Sequence, residues 1–81
     1  MNGRIIIDPE ILAGKPIVRG TRISVEFILE LLSSGMSIEE LLKEYSHLSR
    51  EDVLASLKYA TGALQHEEVY PTAEIAWKWN S

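Results

Sequence analysis

The sequence predicts a mainly α-helical protein, a trihelical helix-turn-helix-like bundle that follows a short N-terminal β-arm. Apolar residues recur with a helical period in three segments after residue 23, and each segment follows a serine that can cap a helix. Before residue 23, two short apolar runs are separated by turn residues. The chain therefore divides into a β-arm (1–23), a trihelical domain (24–65) and a C-terminal tail (66–81).

The β-arm contains the run "RIIID", which ends at the turn signal Asp8-Pro9, and the run "PIVRG". Gly14 and Gly20 bracket the second run and supply backbone freedom. Because an isolated pair of short strands is barely stable in water, the pair must pack on the helices or join its edge to another chain. A chain of 81 residues has a thin core, so we expect a homodimer with arms contributing across its two-fold axis.

The first helix is predicted over residues 25–34. Ser24 stands before it as the N-cap, and Gly35 follows it at the position where a left-handed C-cap is favoured. Its apolar stripe consists of residues with helical spacing: Val25, Ile28, Leu29 and Leu32.

The second and third helices begin in the same way. Ser37 is followed three residues later by Glu40, and Ser49 by Asp52, so each pair can cap a helix reciprocally. We expect Leu48 to fill the space between these helices, which the link "SHLS" joins like a helix-turn-helix. Capping rather than catalysis therefore explains the carboxylates at these helix starts. The apolar stripes are Ile38, Leu41, Leu42 and Tyr45, then Val53, Leu57, Ala60 and Leu64.

Charge is unevenly distributed along the chain. Residues 1–22 carry four cations against two carboxylates, residues 23–81 carry four cations against ten, and the net charge is -4. A basic segment on an acidic body indicates a local anion-binding surface or pairing between the two parts. The chain has no cysteine, and no apolar run approaches the ~20 residues that span a bilayer, so we expect a cytoplasmic protein without disulfides.

The segment "GKPIVRGTRISV" holds three of the four cations of the arm. Arg22 stands just before the first helix, so we expect it to pair structurally with a carboxylate such as Glu26 or Asp52. Lys15 and Arg19 lie nearer the tip of the arm, and cationic β-ribbons can enter a DNA groove. We therefore expect these two side chains to contact anions.

The helix-turn-helix shape suits the major groove of DNA, but the third helix begins with Glu51 and Asp52 beside Arg50. These carboxylates oppose contact with phosphates and with base acceptors. The candidate DNA contacts of the whole chain are Lys15, Arg19, Arg50 and Lys58.

Most of the chain resembles a known bacterial family. The resemblance covers about residues 5–60 and lies in the string "IDPEILAGKPIVRGTRISVEFILELLSSGMSIEELLKEYSHLSREDVLASLKYA", which is similar to domain of unknown function 433. The resemblance implies a small helix-turn-helix-like protein similar to antitoxins of the VapB type. Such proteins are commonly encoded beside a PIN-like ribonuclease toxin, so the implied activity is partner inhibition, with repression of the protein's own promoter as a second activity. The motif residues are Gly14, Pro16, Gly20, Thr21 and Arg22.

The C-terminal tail holds both tryptophans of the chain, behind Pro71, which breaks the preceding helix. Ile75, Trp77 and Trp79 alternate with polar or small residues, a pattern typical of a strand with one apolar face. Such a tail can anchor a partner or fold back over the thin core, and the sequence leaves both alternatives open. The partner-binding candidates are Tyr70, Ile75, Trp77 and Trp79.

Catalysis has little support in the sequence. His47 and His66 lack the spacing of a metal-binding pair, and no glycine-rich phosphate loop follows a strand and opens a helix. We expect no catalytic residue, no metal and no cofactor. The leading hypothesis is an antitoxin-like protein that neutralises a PIN-like ribonuclease encoded nearby. The alternative is a stand-alone helix-turn-helix DNA-binding regulator, which would bind duplex DNA alone in a salt-sensitive manner.

Overall fold

The computed structural model describes residues 3–65, in which the arm forms a two-stranded antiparallel sheet. Strand β1 spans Ile5–Ile7 and strand β2 spans Pro16–Val18, with Ile6 opposite Ile17. β-branched residues favour this extended backbone, and the proline stands first in its strand, where a missing N–H is tolerated. Both predicted strands are confirmed.

The loop between the strands contains a left-handed turn over Leu12–Gly14. The backbone angle φ is 49° at Leu12, 57° at Ala13 and 82° at Gly14. A left-handed conformation costs roughly 1–2 kcal/mol for a residue with a side chain, whereas glycine adopts it freely. The turn therefore stores strain at its first two residues, and a second left-handed glycine, Gly20 at φ 80°, lies beyond β2.

Three helices follow the arm in the predicted order. Helix α1 spans Val25–Ser33, α2 spans Ile38–Glu44 and α3 spans Arg50–Gln65. α1 ends one residue earlier than predicted, and Gly35 follows with φ at 105°, the left-handed region expected after a helix. The predicted mainly helical fold class is confirmed.

Serine side chains cap the starts of all three helices. The Ser24 hydroxyl accepts a hydrogen bond of 2.9 Å from the backbone N–H of Phe27 at the start of α1. Ser37 forms a capping box with Glu40, as predicted. The Ser49 hydroxyl accepts from the backbone N–H three residues on, at 3.2 Å. These caps satisfy N–H groups that have no partner within the helix.

The core lies between the sheet and the helices. β2 packs on α1 and β1 packs on α3, so the strands are stabilised by packing on the helices, the first of the two predicted arrangements. Ile17 of the arm is fully buried, and Leu48, in the link between α2 and α3, is also buried. The central cluster contains buried residues from the arm and all three helices: Val18, Ile28, Leu41, Leu48 and Val53.

The apolar stripe predicted for α3 is correct at its beginning and wrong at its end. Val53 is fully buried and Leu57 packs against the core, but Leu64 is 68% exposed. α3 has 16 residues and α1 has nine, so α3 is about 10 Å longer than α1 at 1.5 Å per residue. The last turn of α3, which carries Leu64, thus lies outside the core cluster.

Candidate functional site

An ion pair between Arg4 and Asp52 attaches the arm to α3. Arg4 Nη1 lies 3.0 Å from Asp52 Oδ1, and the aspartate side chain is 13% exposed. The other carboxylate oxygen accepts a hydrogen bond of 2.9 Å from the backbone N–H of Ser49. One carboxylate therefore caps α3 and also holds the residue that precedes β1.

Two opposing effects act on the pKa of Asp52. Burial raises the pKa, whereas hydrogen bonds from Ser49 and from the Arg4 guanidinium lower it, and the resulting pKa lies below the ordinary value for aspartate. The carboxylate is therefore charged at neutral pH. Its protonation in acid would weaken the cap and the ion pair together.

The start of β2 is attached to α1 by Lys15, whose Nζ lies 2.9 Å from Glu26 Oε1, with both side chains exposed. The pairing predicted for Arg22 is therefore wrong, because Lys15 and Arg4 hold the two carboxylates proposed for it. Lys15 directly precedes β2, which packs on α1, and Arg4 directly precedes β1, which packs on α3. The packing of the sheet thus decides which cation meets which carboxylate.

The other candidate DNA contacts are also placed by the structure. Arg19 Nε donates a hydrogen bond to the backbone carbonyl of Gly3, and Arg50 Nη2 lies 2.7 Å from Glu39 Oε2 on α2. Lys58 is exposed on α3. Three of the four candidate cations, Lys15, Arg19 and Arg50, therefore have an intramolecular partner.

Thr21 shapes the connection between β2 and α1. Its hydroxyl donates a hydrogen bond of 2.8 Å to the carbonyl of Val18 and accepts one of 2.9 Å from the backbone N–H of Ile23. These bonds close a tight turn around Gly20 and direct the chain to the N-cap of α1. Arg22, within this turn, is exposed.

A cleft of about 400 Å³ lies beside the left-handed turn and the first turn of α1. Leu12 and Phe27, two of its lining residues, are 41% and 36% exposed. Within residues 3–65, Arg22 forms no hydrogen bond or ion pair, so its guanidinium is available at the cleft. The lining residues are Leu12, Lys15, Arg22, Ile23, Ser24 and Phe27.

Sequence reasoning did not single out Arg4, Leu12 or Phe27. Phe27 lies off the predicted apolar stripe of α1, but a single apolar residue off the buried face is common on protein surfaces and does not identify a site from sequence. Its ring meets Tyr45 edge-on, with centroids 5.8 Å apart. The pair of Arg4 with Asp52 joins residues 48 positions apart and has no local signal.

The remaining observations concern membrane-spanning helices, metal ligands, the two histidines and the partner anchors predicted in the tail. Within residues 3–65, no helix is long and apolar enough to cross a membrane. In the same range, no three histidine, aspartate or glutamate side chains come together as ligands for a metal ion. His47 is exposed in the turn between α2 and α3, whereas His66 lies outside the described residues. The predicted partner anchors of the tail also lie outside them: Tyr70, Ile75, Trp77 and Trp79.

Known proteins resemble the chain over the region that contains these features. An uncharacterized protein of Sinorhizobium fredii, y4eO, is 36% identical over 52 residues, which make up 64% of this chain and 24% of that protein. The chain thus spans about a quarter of the length of this curated relative. The crystal structure of a DUF433 member protein from Anabaena variabilis matches with a TM-score of 0.73 and 31% identity, covering 76% of this chain and 61% of that one. The model of the family described as "Protein of unknown function (DUF433)" matches residues 5–60, and the chain belongs to this family.

Proposed function

We propose that the chain acts by binding a protein, in the manner of a VapB-type antitoxin that neutralises a PIN-like ribonuclease encoded nearby. The observation that carries the proposal is the intramolecular pairing of the cations expected to contact DNA. Lys15, Arg19 and Arg50 each contact another part of the chain. Protein binding is therefore better supported than DNA recognition by this chain alone.

Two of the pairs weaken DNA contact by placing a carboxylate beside a candidate phosphate contact, Glu26 beside Lys15 and Glu39 beside Arg50. Exposed ion pairs are individually weak, so a phosphate could displace one without a large loss of stability. However, Glu26 lies 2.9 Å from Lys15 and Glu39 lies 2.7 Å from Arg50, so a phosphate at either cation would also meet a negative charge. At the start of α3, Glu51 is exposed and adds to this repulsion.

The overall charge suits a ribonuclease as the partner. A ribonuclease binds a polyanion, so its substrate-binding surface is expected to carry cations. This chain has 12 carboxylates against eight lysines and arginines, and most of the carboxylates lie after the arm. Complementary charge of this kind increases the association rate and the specificity of a protein complex.

Two further elements of the proposal concern assembly. The tail residues with large apolar or aromatic side chains are the proposed partner anchors: Tyr70, Ile75, Trp77 and Trp79. Formation of a homodimer also remains a prediction, supported by the small size of the core. Sedimentation equilibrium at micromolar concentration tests it, and a strict monomer would contradict it.

The test of the proposed function uses the full chain and the purified product of the adjacent PIN-like reading frame. We expect saturable binding by isothermal titration calorimetry and loss of ribonuclease activity at the same stoichiometry. Absence of binding, together with tight binding of the chain alone to its own promoter, would instead establish the DNA-binding regulator. Trp77→Ala and Trp79→Ala should each weaken ribonuclease binding by about 2 kcal/mol, as for buried aromatic anchors.

A further inference from the structure

The cleft beside α1 combines apolar walls with one available cation. Leu12, Ile23 and Phe27 provide the apolar surface, and sites for ligands typically pair such a surface with a few polar groups. Lys15 Nζ forms an ion pair with Glu26 Oε1 at 2.9 Å. Among residues 3–65, Arg22 is therefore the lining cation without an intramolecular partner, and a guanidinium can hold a carboxylate through two parallel hydrogen bonds.

The backbone beside the cleft supports a binding role for this surface. Leu12 has φ at 49°, a conformation that glycine or asparagine adopts with less strain, and its side chain is 41% exposed. Burial in the core of the described chain does not account for a large apolar residue at this position. Strained backbone of this kind is retained where the surrounding structure uses it, often at ligand sites.

We propose that this cleft docks a segment of a partner protein in which an apolar side chain stands beside a carboxylate. The apolar side chain packs against Leu12 and Phe27, and the carboxylate pairs with Arg22. This inference rests on the proposed function, because it assumes that the chain acts by binding a protein. Charge complementarity with the available guanidinium assigns an acidic segment as the occupant.

A nucleic acid fits the cleft less well. A phosphate backbone is held by several cations in succession, whereas Glu26 stands 2.9 Å from the second cation of the lining. Because the bases of a duplex are paired and stacked on one another, the apolar walls would meet its phosphates and sugars and remain without a matching group. Packing of an apolar side chain removes this surface from water.

Two synthetic tetrapeptides test the proposal on the full chain labelled with ¹⁵N. The acidic probe is acetyl-Glu-Leu-Phe-Glu-amide, and its matched control is acetyl-Gln-Leu-Phe-Gln-amide, which keeps the apolar residues and removes the charges. We expect the acidic probe to cause saturable NMR shifts of the backbone amides in residues 12–15 and 22–27. The control probe should bind about fivefold more weakly because it cannot form the charge-assisted pair.

Variants of the chain locate the site. Arg22→Gln should weaken binding of the acidic probe about fivefold, so that the chain no longer binds the acidic probe more tightly than the control probe. Arg22 is exposed and has no partner within residues 3–65, so this change should leave the fold intact. Lys58→Gln removes an exposed cation outside the cleft and should leave binding unchanged. Leu12→Asn keeps the left-handed turn and should also weaken binding, because it removes an apolar wall.

Three results would each overturn the inference: no saturable shift up to the solubility limit of the acidic probe, equal affinity for both probes, or unchanged affinity in Arg22→Gln. The titration does not use the ribonuclease, so the two proposals fail separately. Cleft binding without ribonuclease binding refutes the proposed partner alone. Ribonuclease binding without cleft binding refutes the docking site alone.

Discussion

The trihelical domain and the β-arm differ in the sequence range of the polar contacts that hold them. The helix caps join side chains to groups three positions away. The contacts of the charged side chains Lys15, Arg19 and Arg4 in the arm reach across 11, 16 and 48 positions, although Thr21 of the arm bonds only to groups within three positions. The helix starts are therefore determined by nearby residues, whereas the position of the arm relative to the helices depends on the packing of the core.

The largest expected effect comes from truncating a buried side chain of the arm. Ile17 is fully buried, so Ile17→Ala should lower the free energy of unfolding by about 3 kcal/mol, within the range for large-to-small core changes. Urea unfolding at neutral pH measures the loss. Ile7→Ala is the matched control on the other strand, where the side chain is 58% exposed, and should cost less than about 1 kcal/mol. Similar small losses for both variants would show that the arm is not part of the core.

The long-range ion pair should matter more than a local cap. Asp52→Asn removes the charge that both caps α3 and binds Arg4, and should cost about 2 kcal/mol at neutral pH. Ser37→Ala removes a local cap on α2 and should cost about 1 kcal/mol. Chemical unfolding of the two variants shows which substitution lowers the free energy of unfolding more. A larger loss for the serine variant would contradict the long-range attachment of the arm.

The same aspartate predicts how stability depends on pH. Because the pKa of Asp52 is lower in the folded chain than its ordinary value, its contribution is present above the unfolded pKa of about 4 and is lost as pH falls through the folded pKa. The stability difference between the unmodified chain and Asp52→Asn should therefore be constant from about pH 7 to about pH 5 and shrink below about pH 4. Urea unfolding across this range measures it. A stability difference at about pH 3 that equals the one at about pH 7 would show that the hydrogen bonds do not lower the pKa of Asp52 as stated.

The smallest expected effect tests the strained turn of the arm. Ala13→Gly removes left-handed strain at φ 57° and should raise the free energy of unfolding by about 0.5 kcal/mol after the entropy cost of glycine. The same substitution inside α3, Ala60→Gly, should lower it by about 1 kcal/mol. Thermal unfolding shows whether each substitution stabilises or destabilises the chain. Destabilisation by Ala13→Gly would show that the turn is not strained there.

The helices and strands could be predicted because their signals are local. Ser37 and Glu40 stand at the spacing of a capping box, and the spacing of the apolar residues identifies the buried face of α1. The exposed end of α3 could not be predicted, because the apolar repeat continues to Leu64 although this residue lies outside the core cluster. In the site, sequence reasoning identified the cations Lys15, Arg19 and Arg22, but it identified neither Arg4 nor the groups with which the cations pair. Which carboxylate Arg4 or Lys15 meets follows from the packing of the sheet on the helices.

Three of the four cations expected to contact DNA, Lys15, Arg19 and Arg50, are paired within the chain, and on this ground we propose that the chain binds a protein rather than DNA. The most direct measurement is the affinity of the chain alone for a duplex of its own promoter, by fluorescence anisotropy over a range of salt concentrations. We predict weak binding at physiological salt and a shallow dependence of log K on log salt. Four cations in contact with phosphates would give a slope of about -3.6. Tight binding with that slope, reduced in a Lys15→Ala, Arg19→Ala double variant by about two units, would contradict the claim.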